Sequence, residues 1–334
     1  SGASRPIMAA VAVIGAGLSG LVAARKLAQV HEVFVFEKSR GVGGRLATRR
    51  AGSFEFDHGA QFFTARTTAF RRFLQPLIEA GSVADWPARF SELRRGQVVE
   101  SRQWGSDFPH YVGTPAMNAF GKALASGLDV RLETAITSLR RKGAHWQLVG
   151  EAQRPLGEFD WVIVTAPAAQ AADLLAPTSM ASVASRVRMQ ACYALLLGFD
   201  EAVDLPWQAA LVNEADISWI SVNNSKPGRP PSSSLVVHST NAWAEDHADD
   251  DLEAVRRHLL DECREVTGID TVSAAFVDVH RWRYANVERQ EGDLYALDSD
   301  QQLAACGDWF VRGRVEGAFS SADALATRLM LDYT

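Results

Sequence analysis

Four apolar residues, Val11 to Ile14, run directly into Gly15-Ala16-Gly17-Leu18-Ser19-Gly20, and a helical apolar pattern follows through Leu21, Ala24, Leu27 and Ala28. The short continuous run reads as a buried strand, and the change to a 3.6-residue period reads as a helix. The glycines fall where that transition needs them. The chain reverses at Gly15, the backbone approaches a bound anion at Gly17, and the helix lies close to the strand at Gly20. The free N–H groups of the first helical turn, at Leu18 and Ser19, then hold the anion. A second apolar run, Val33 to Phe36, ends in Glu37, roughly twenty residues after the first glycine, where an acid hydrogen-bonds a ribose hydroxyl. Strand, turn, helix, strand and acid together specify a dinucleotide-binding unit, and they leave NAD and FAD both open.

The chain has 334 residues and 47% hydrophobic content, enough for one large α/β domain or two intermixed ones. Its net charge of −6 argues against nucleic acid, which needs a basic face to neutralise phosphates. Cys192, Cys263 and Cys306 are odd in number and far apart. They form neither a disulfide framework nor a metal-ligand spacing, so no metal is expected, and a reducing cytoplasm is the natural setting. The small apolar stretch from Ile7 to Ala24 is better explained by the glycine fingerprint than by a signal peptide. Ser1 to Ile7 read as a disordered leader with Met8 as the start, and no uninterrupted run long enough for a membrane span is found.

Behind the second strand comes Gly41-Val42-Gly43-Gly44-Arg45, a further glycine-rich turn where a plain NAD-binding unit would continue into helix. Paired glycines and a guanidinium suit a loop folded over a diphosphate. Phe54 to Asp57 alternates like a strand and leads into His58 and Gly59 to Thr64, and the adjacent Asp57 and His58 should point to opposite faces. A helix is expected over 67–80, and another from Thr114-Pro115 to about Ala125 with Thr114 as its cap. Strands are expected at 130–133, 136–139, 146–149 and 159–165, then at 192–199, 209–213, 217–222, 235–238 and 274–282, with one helix at about 249–266. The Pro-, Ser- and Gly-rich stretch Asn223 to Ser234, which carries Lys226, reads as a surface loop. Near the end, a strand at 303–305 meets Cys306-Gly307-Asp308-Trp309, and a last helix starts near Val315.

The fingerprint, the Gly-Gly-Arg turn and the late Gly-Asp turn with its terminal helix together resemble the flavin-dependent amine-oxidase superfamily. More narrowly, Gly43-Gly44-Arg45, Asp57 through Arg66, Arg281-Trp282 with Tyr284-Ala285, and Cys306 to Trp309 with Gly313 to Gly317 resemble bacterial renalase-type proteins. Relatives often read Ser-Gly where this chain has Ser321-Ala322. The resemblance implies an α/β fold: a Rossmann-like FAD-binding domain of the glutathione-reductase-2 type with an inserted β-rich α+β substrate domain. The FAD domain is expected over 8–80, 114–190 and 299–334, and the substrate domain over 81–113 and 191–298.

It also implies FAD, with Gly15, Gly17, Leu18, Ser19 and Gly20 at the pyrophosphate, Glu37 and Lys38 at the adenosine ribose, and Gly44 and Arg45 over the diphosphate. Because Cys306 lies inside the Gly-Asp turn and no other Cys context suggests covalent attachment, the FAD is expected to be dissociable. Ile136 would meet the adenine side, and Asp308, Arg314 and Val315 the ribityl chain and ring, with Gln61 and Phe62 bordering them. Phe63, Thr64, Ala65 and Arg66, with Tyr193, His238 and Trp282, are the substrate-side candidates, and core packing is the competing role for the last three. The implied reaction oxidises 2- or 6-dihydro isomers of NAD(P) and passes the electrons to O2. Monoamine or polyamine oxidation is the alternative, but none of the five lysines is well placed for it by sequence, Lys226 included. A flavin-binding protein without turnover is the non-enzymatic alternative. Oligomeric state is not legible.

Overall fold

The computed structural model describes residues 8–331, so the proposed leader, Ser1 to Ile7, lies outside the described residues. The contacts divide the chain into two units, one made of the chain up to Gly44, Gly121–Met189 and Val287 onward, the other of Arg45–Phe120 and Gln190–Asn286.

The first unit holds a six-stranded sheet in the order 296–298, 303–305, 161–164, 10–14, 32–36, 129–131. Its strands are parallel except for the edge strand Ala296–Asp298, which runs antiparallel to Leu303–Ala305. Val11 to Ile14 and Val162 to Val164 are buried, as expected for a sheet covered on both faces. Helix Leu18–Leu27 covers it beside the terminal helix Val315–Leu331, to which Ser19 Oγ donates at the Ala318 carbonyl (2.9 Å) and Lys26 Nζ donates at Asp323 (2.7 Å). An antiparallel sheet of Ile136–Lys142, His145–Gly150 and Pro155–Phe159 pairs the strands expected at 136–139 and 146–149 and adds a third.

The second unit is built on a seven-stranded sheet in the order 276–286, 190–199, 233–239, 217–222, 209–213, 89–94, 97–103. The central strand Gln190–Phe199 alternates its side chains between two cores. Tyr193, Leu195 and Leu197 pack with Val255, Leu259 and Cys263 of helix Leu252–Thr267. Ala194 and Leu196 pack with Phe54 and Phe56 on the other side. That second packing is why 45–80, expected with the nucleotide domain, belongs to this unit.

The helix expected from Thr114 begins instead at Asn118. The amides that open it are satisfied from elsewhere: Met117 N donates to Asp57 Oδ1 (3.0 Å) and Asn118 N to Thr48 Oγ1 (3.2 Å), while the Thr114 hydroxyl turns toward the Pro227 carbonyl (3.4 Å). Helix Thr68–Glu79 is capped by Thr67 and tolerates Pro76. Ser321 and Ala322 lie within the terminal helix. Ser321 Oγ accepts from Gly307 N (2.9 Å) and donates to the Leu294 carbonyl (2.6 Å), pinning the Gly-Asp turn. No helix among the described residues is long and apolar enough to cross a membrane.

Candidate active site

In the first unit the glycine turns form a cradle. Gly15 takes φ +108°, and its N–H donates to the Phe36 carbonyl (2.8 Å), tying the turn to the second strand. A Cβ on Gly20 would collide with the Gly15 carbonyl oxygen, whereas a Cβ on Gly17 meets nothing within 4 Å. The second turn lies against the first: Gly43 N donates to the Ala16 carbonyl (2.8 Å), and a Cβ on Gly44, at φ +57°, would come 3.2 Å from Gly17 Cα. The helix that starts at Leu18 has no side-chain cap and no acid in its first turn, which leaves its N–H groups and positive dipole end for an anion.

Glu37 is buried, with Oε2 accepting from Ala16 N and Oε1 from Ser39 N, both at 2.8 Å. Two backbone amides therefore orient the carboxylate and leave lone pairs for hydroxyl donors. The Thr134 amide donates to the Glu37 carbonyl (2.9 Å), bringing the segment that leads to Ile136 alongside. Lys38 is exposed, with Nζ on Gln170 Oε1 (3.2 Å). Asp308 is buried at the start of a short turn whose carbonyl accepts from Val311 N and Arg312 N, and Val315 opens the terminal helix. Arg314 is exposed. An open glycine cradle, an uncapped helix start and an oriented acid fit the pyrophosphate and ribose of a dinucleotide.

In the second unit, Asp57 and His58 go to opposite sides. The Asp57, Lys226 and Arg229 side chains all have zero exposure. Asp57 Oδ2 accepts from Lys226 Nζ (3.2 Å) and from Arg229 Nε (3.2 Å) and Nη2 (2.6 Å), and Oδ1 accepts from Thr48 Oγ1 (2.8 Å) and Met117 N. Burial alone would raise the Asp57 carboxyl, but the two cations and the Met117 amide outweigh it and hold it below its ordinary value. Burial brings Lys226 down to about 8 against the pull of Asp57. The surface-loop expectation for Lys226 is therefore corrected. The loop is fastened inward by ion pairs that no local pattern encodes.

His58 stacks on Trp282 (ring centroids 5.2 Å) and meets His280 edge-on (4.8 Å), while Trp282 Nε1 donates to the His58 carbonyl (2.9 Å). His238 pairs in register with Ala194 and Trp219, and Ala194 with His280, so these residues line one face of the sheet. Gln61 is buried beside them, its Nε2 donating to the carbonyls of Asp57 (2.5 Å) and Gly59 (3.0 Å), with Lys226 Nζ 3.5 Å from its Oε1. Desolvation lowers His58 and His238 to about 4 and also lowers His280, so the wall is neutral at pH 7.

Of the three wall candidates the structure brings His238 and Trp282 together, and places Tyr193 on the opposite face. Its hydroxyl donates to the His247 carbonyl (2.7 Å) and accepts from Arg281 Nε (2.8 Å). Phe62 reaches an aromatic group of Trp104, His110 and Trp219, whereas Phe63 turns away to stack on Phe120 (5.2 Å). Thr64 is half-buried, Ala65 buried and Arg66 exposed. Arg45 belongs to this unit, with Nη1 on the Ala285 carbonyl (2.9 Å), and a Cβ on Gly59 would strike the Arg45 carbonyl. His280, Trp104, His110 and Trp219 were not singled out from sequence for this face, because side-chain pairing across four separate strands and loops leaves no local signature. Asp216, His258 and Glu262 offer ligand atoms within 4.8 Å of one another, but they are half-buried and bonded among themselves.

Residues 13–77 match a NAD(P)-binding Rossmann-like domain, and residues 68–330 match the flavin containing amine oxidoreductase family. Among solved structures, a protein of Exiguobacterium sp. 255-15 provisionally named a protoporphyrinogen oxidase superposes with a TM-score of 0.79 at 12% identity, covering 99% of this chain and 100% of that one. A redesigned putrescine oxidase superposes with a TM-score of 0.73 at 12% identity, covering 97% and 99%. These likenesses show a shared fold. The 4,4'-diapophytoene desaturase of Staphylococcus aureus (strain Newman) is 52% identical over 50 residues, which is 15% of this chain and a tenth of the desaturase's length. With most of its length matched by one family, whose members carry flavin as FAD, the chain belongs to the flavin containing amine oxidoreductases.

Proposed function

We propose that this chain is an FAD-dependent oxidase that takes hydride from 2- or 6-dihydro isomers of NAD(P), regenerates NAD(P)+ and delivers the electrons to O2 as H2O2 in the cytoplasm. FAD, when bound, supplies the hydride acceptor at N5 and the route to oxygen. The chain's own part is to bind and orient the donor.

The observation that carries this reading is the fully buried Asp57, Lys226 and Arg229 cluster behind the histidine face. Desolvation lowers the histidines of that face below their ordinary value. Asp57 is held by two cations, so the buried triad keeps a net positive charge beside Gln61. Asp278, the neighbouring acid on the Trp282 strand, is paired with Arg49 (2.5 Å). Among these charged side chains, three cations, Arg49, Lys226 and Arg229, face two acids, Asp57 and Asp278, a balance that disfavours a cationic amine and attracts an anionic dinucleotide. The half-buried Trp282, backed by the stacked ring of His58, offers ring surface for a nicotinamide, and rearomatisation of that ring drives hydride release without a general base. The exposed Arg66 is assigned to the anionic part of the donor.

Lys26, Lys38, Lys122 and Lys142 remain without a role in the chemistry. Non-covalent FAD is supported by the state of the thiols: Cys192, Cys263 and Cys306 are fully buried, and burial pushes each up to about 12, so none is a ready nucleophile.

The test is anaerobic stopped-flow absorbance of the FAD-loaded protein mixed separately with 2- and 6-dihydro isomers of NAD(P)H, ordinary NADH and a panel of amines. Fast flavin bleaching with the isomers alone supports the assignment, and bleaching with an amine instead overturns it.

A further inference from the structure

Among the described residues, three buried side-chain nitrogens have no hydrogen-bond partner: His58 Nδ1, Trp104 Nε1 and His110 Nδ1. All three lie along the same aromatic face of the second unit. The carbonyls of Phe56 and Phe108 come near the two histidines without reaching hydrogen-bond geometry. Trp104 carries the third of these nitrogens. It is 6% exposed, and its nitrogen contrasts with those of Trp86, Trp146, Trp219, Trp282 and Trp309, which donate to Ser225, Gln301, Ser221, His58 and Ala166 respectively. An unsatisfied buried donor is costly and rare in a finished core, so it points to an acceptor supplied from outside.

The surroundings describe that acceptor. Trp104 and His110 are stacked, with ring centroids 3.7 Å apart and planes 3° from parallel. Phe62 stands 5.0 Å from Trp104 and 5.4 Å from Trp219, and Phe62, His110 and Trp219 are each half-buried, so they present ring surface at the edge of the cluster. Desolvation lowers His110 to about 4, so it is a neutral imidazole. In the tautomer protonated at Nε2, Nδ1 accepts. One donor and one acceptor beside stacked rings match the edge of a purine that carries a ring nitrogen next to an amino group.

The position fits as well. From the Trp282 strand to the Trp219 strand is three steps across the sheet, or about 14 Å at about 4.8 Å per step. The Trp104 ring centroid lies 6.4 Å from that of Trp219. That is within the reach of an extended dinucleotide whose other ring stacks on Trp282. We propose that Trp104 and His110, with Phe62 and Trp219, form the adenine subsite for the dinucleotide donor. Trp104 Nε1 donates to a purine ring nitrogen, and His110 Nδ1 accepts from the exocyclic amine. The subsite rests on the proposed reaction for the identity of its ligand.

The test measures binding of NAD+, ADP-ribose and nicotinamide mononucleotide to the FAD-loaded protein by calorimetry, for wild type, Trp104→Phe and His110→Phe. Wild type should bind NAD+ at least about tenfold tighter than the mononucleotide, as expected for one stacked base. Both variants keep a ring in the stack, and each should weaken NAD+ and ADP-ribose roughly 3- to 10-fold through the lost hydrogen bond while leaving the mononucleotide unchanged. His110→Phe guards against loss of folding at the more buried Trp104. Equal affinity for NAD+ and the mononucleotide in wild type, or variants that weaken both alike or neither, would overturn the subsite. Specific loss of ADP-ribose in the variants, with no flavin bleaching by any dihydro isomer, would keep the subsite and reject the proposed donor.

Discussion

Replacing Asp57 by Asn keeps the side chain's size and one oxygen acceptor, but it sets an amide N–H2 against Lys226 and Arg229 and leaves two cations unpaired in the interior. Asp57 Oδ2 receives three charged donors at 2.6–3.2 Å, and none of the three side chains is exposed. Removing one partner of such a group costs about 3–5 kcal/mol, because the remaining charge stays desolvated. At about 2–4 °C per kcal/mol for a unit of this size, the melting transition should fall by roughly 6–20 °C. Lys226→Met is the contrasting change. Arg229 still holds Asp57 through two nitrogens, and a costly buried ammonium is removed, so this variant should melt close to wild type. A pH series separates the two further. Lys226 sits near 8 in the folded chain against an ordinary 10.5, so between those values the unfolded chain binds more protons and stability rises with pH. That rise should be present in wild type and absent in Lys226→Met. Scanning calorimetry measures both effects. Asp57→Asn melting within about 2 °C of wild type, or Lys226→Met falling as far as Asp57→Asn, would refute the reasoning.

Gly17→Ala should leave the stability of the FAD-free protein unchanged, since its Cβ meets nothing within 4 Å, yet lower FAD retention on gel filtration by occupying the cradle; equal retention would remove Gly17 from the pyrophosphate site. Glu37→Ala and Asp308→Ala should each reduce the yellow colour retained at an unchanged far-ultraviolet spectrum, and full colour would count against those assignments. Arg66→Ala should weaken binding of the anionic donor and slow flavin reduction, read by stopped flow. For His58 and His238, folded values near 4 lie below the ordinary 6.5. The unfolded chain therefore takes up protons first as pH falls, and stability is lost from about 6.5 down to 4; a melting temperature flat across that window would contradict neutral burial.

The nucleotide unit was legible because its determinants are local. Val11 to Gly20 fix a strand, a turn and a helix start within ten positions, and Glu37 follows on the adjacent strand, bonded to Ala16 N as the fingerprint requires. The strands at 209–213, 217–222 and 303–305 also fall where apolar runs between turn residues place them. Tyr193 takes the core-packing role of the two left open for it, for an equally physical reason. All residues from Ala191 to Phe199 are buried, so the strand has no polar face to reveal which alternate side chains look toward Phe56 and which toward helix Leu252–Thr267. Lys226 was misplaced because Pro, Ser and Gly report only that a segment is irregular, and say nothing of the carboxylate that draws it inward.

The pair Asp57 and His58 shows where local reading and tertiary chemistry meet. Alternation on an extended segment separates two neighbours to opposite faces, and that much follows from the backbone alone. What each face contains does not. Asp57 finds two cations from a loop some 170 residues away and the opening amide of a helix, so it becomes an anchor that fixes Gln61 from below. His58 finds His280 and Trp282 and loses its affinity for a proton. One dipeptide thus supplies both a buried charged support and a neutral aromatic surface. A substitution at either position should therefore produce a different failure: loss of folding stability from the Asp57 side, and altered ligand binding with folding preserved from the His58 side.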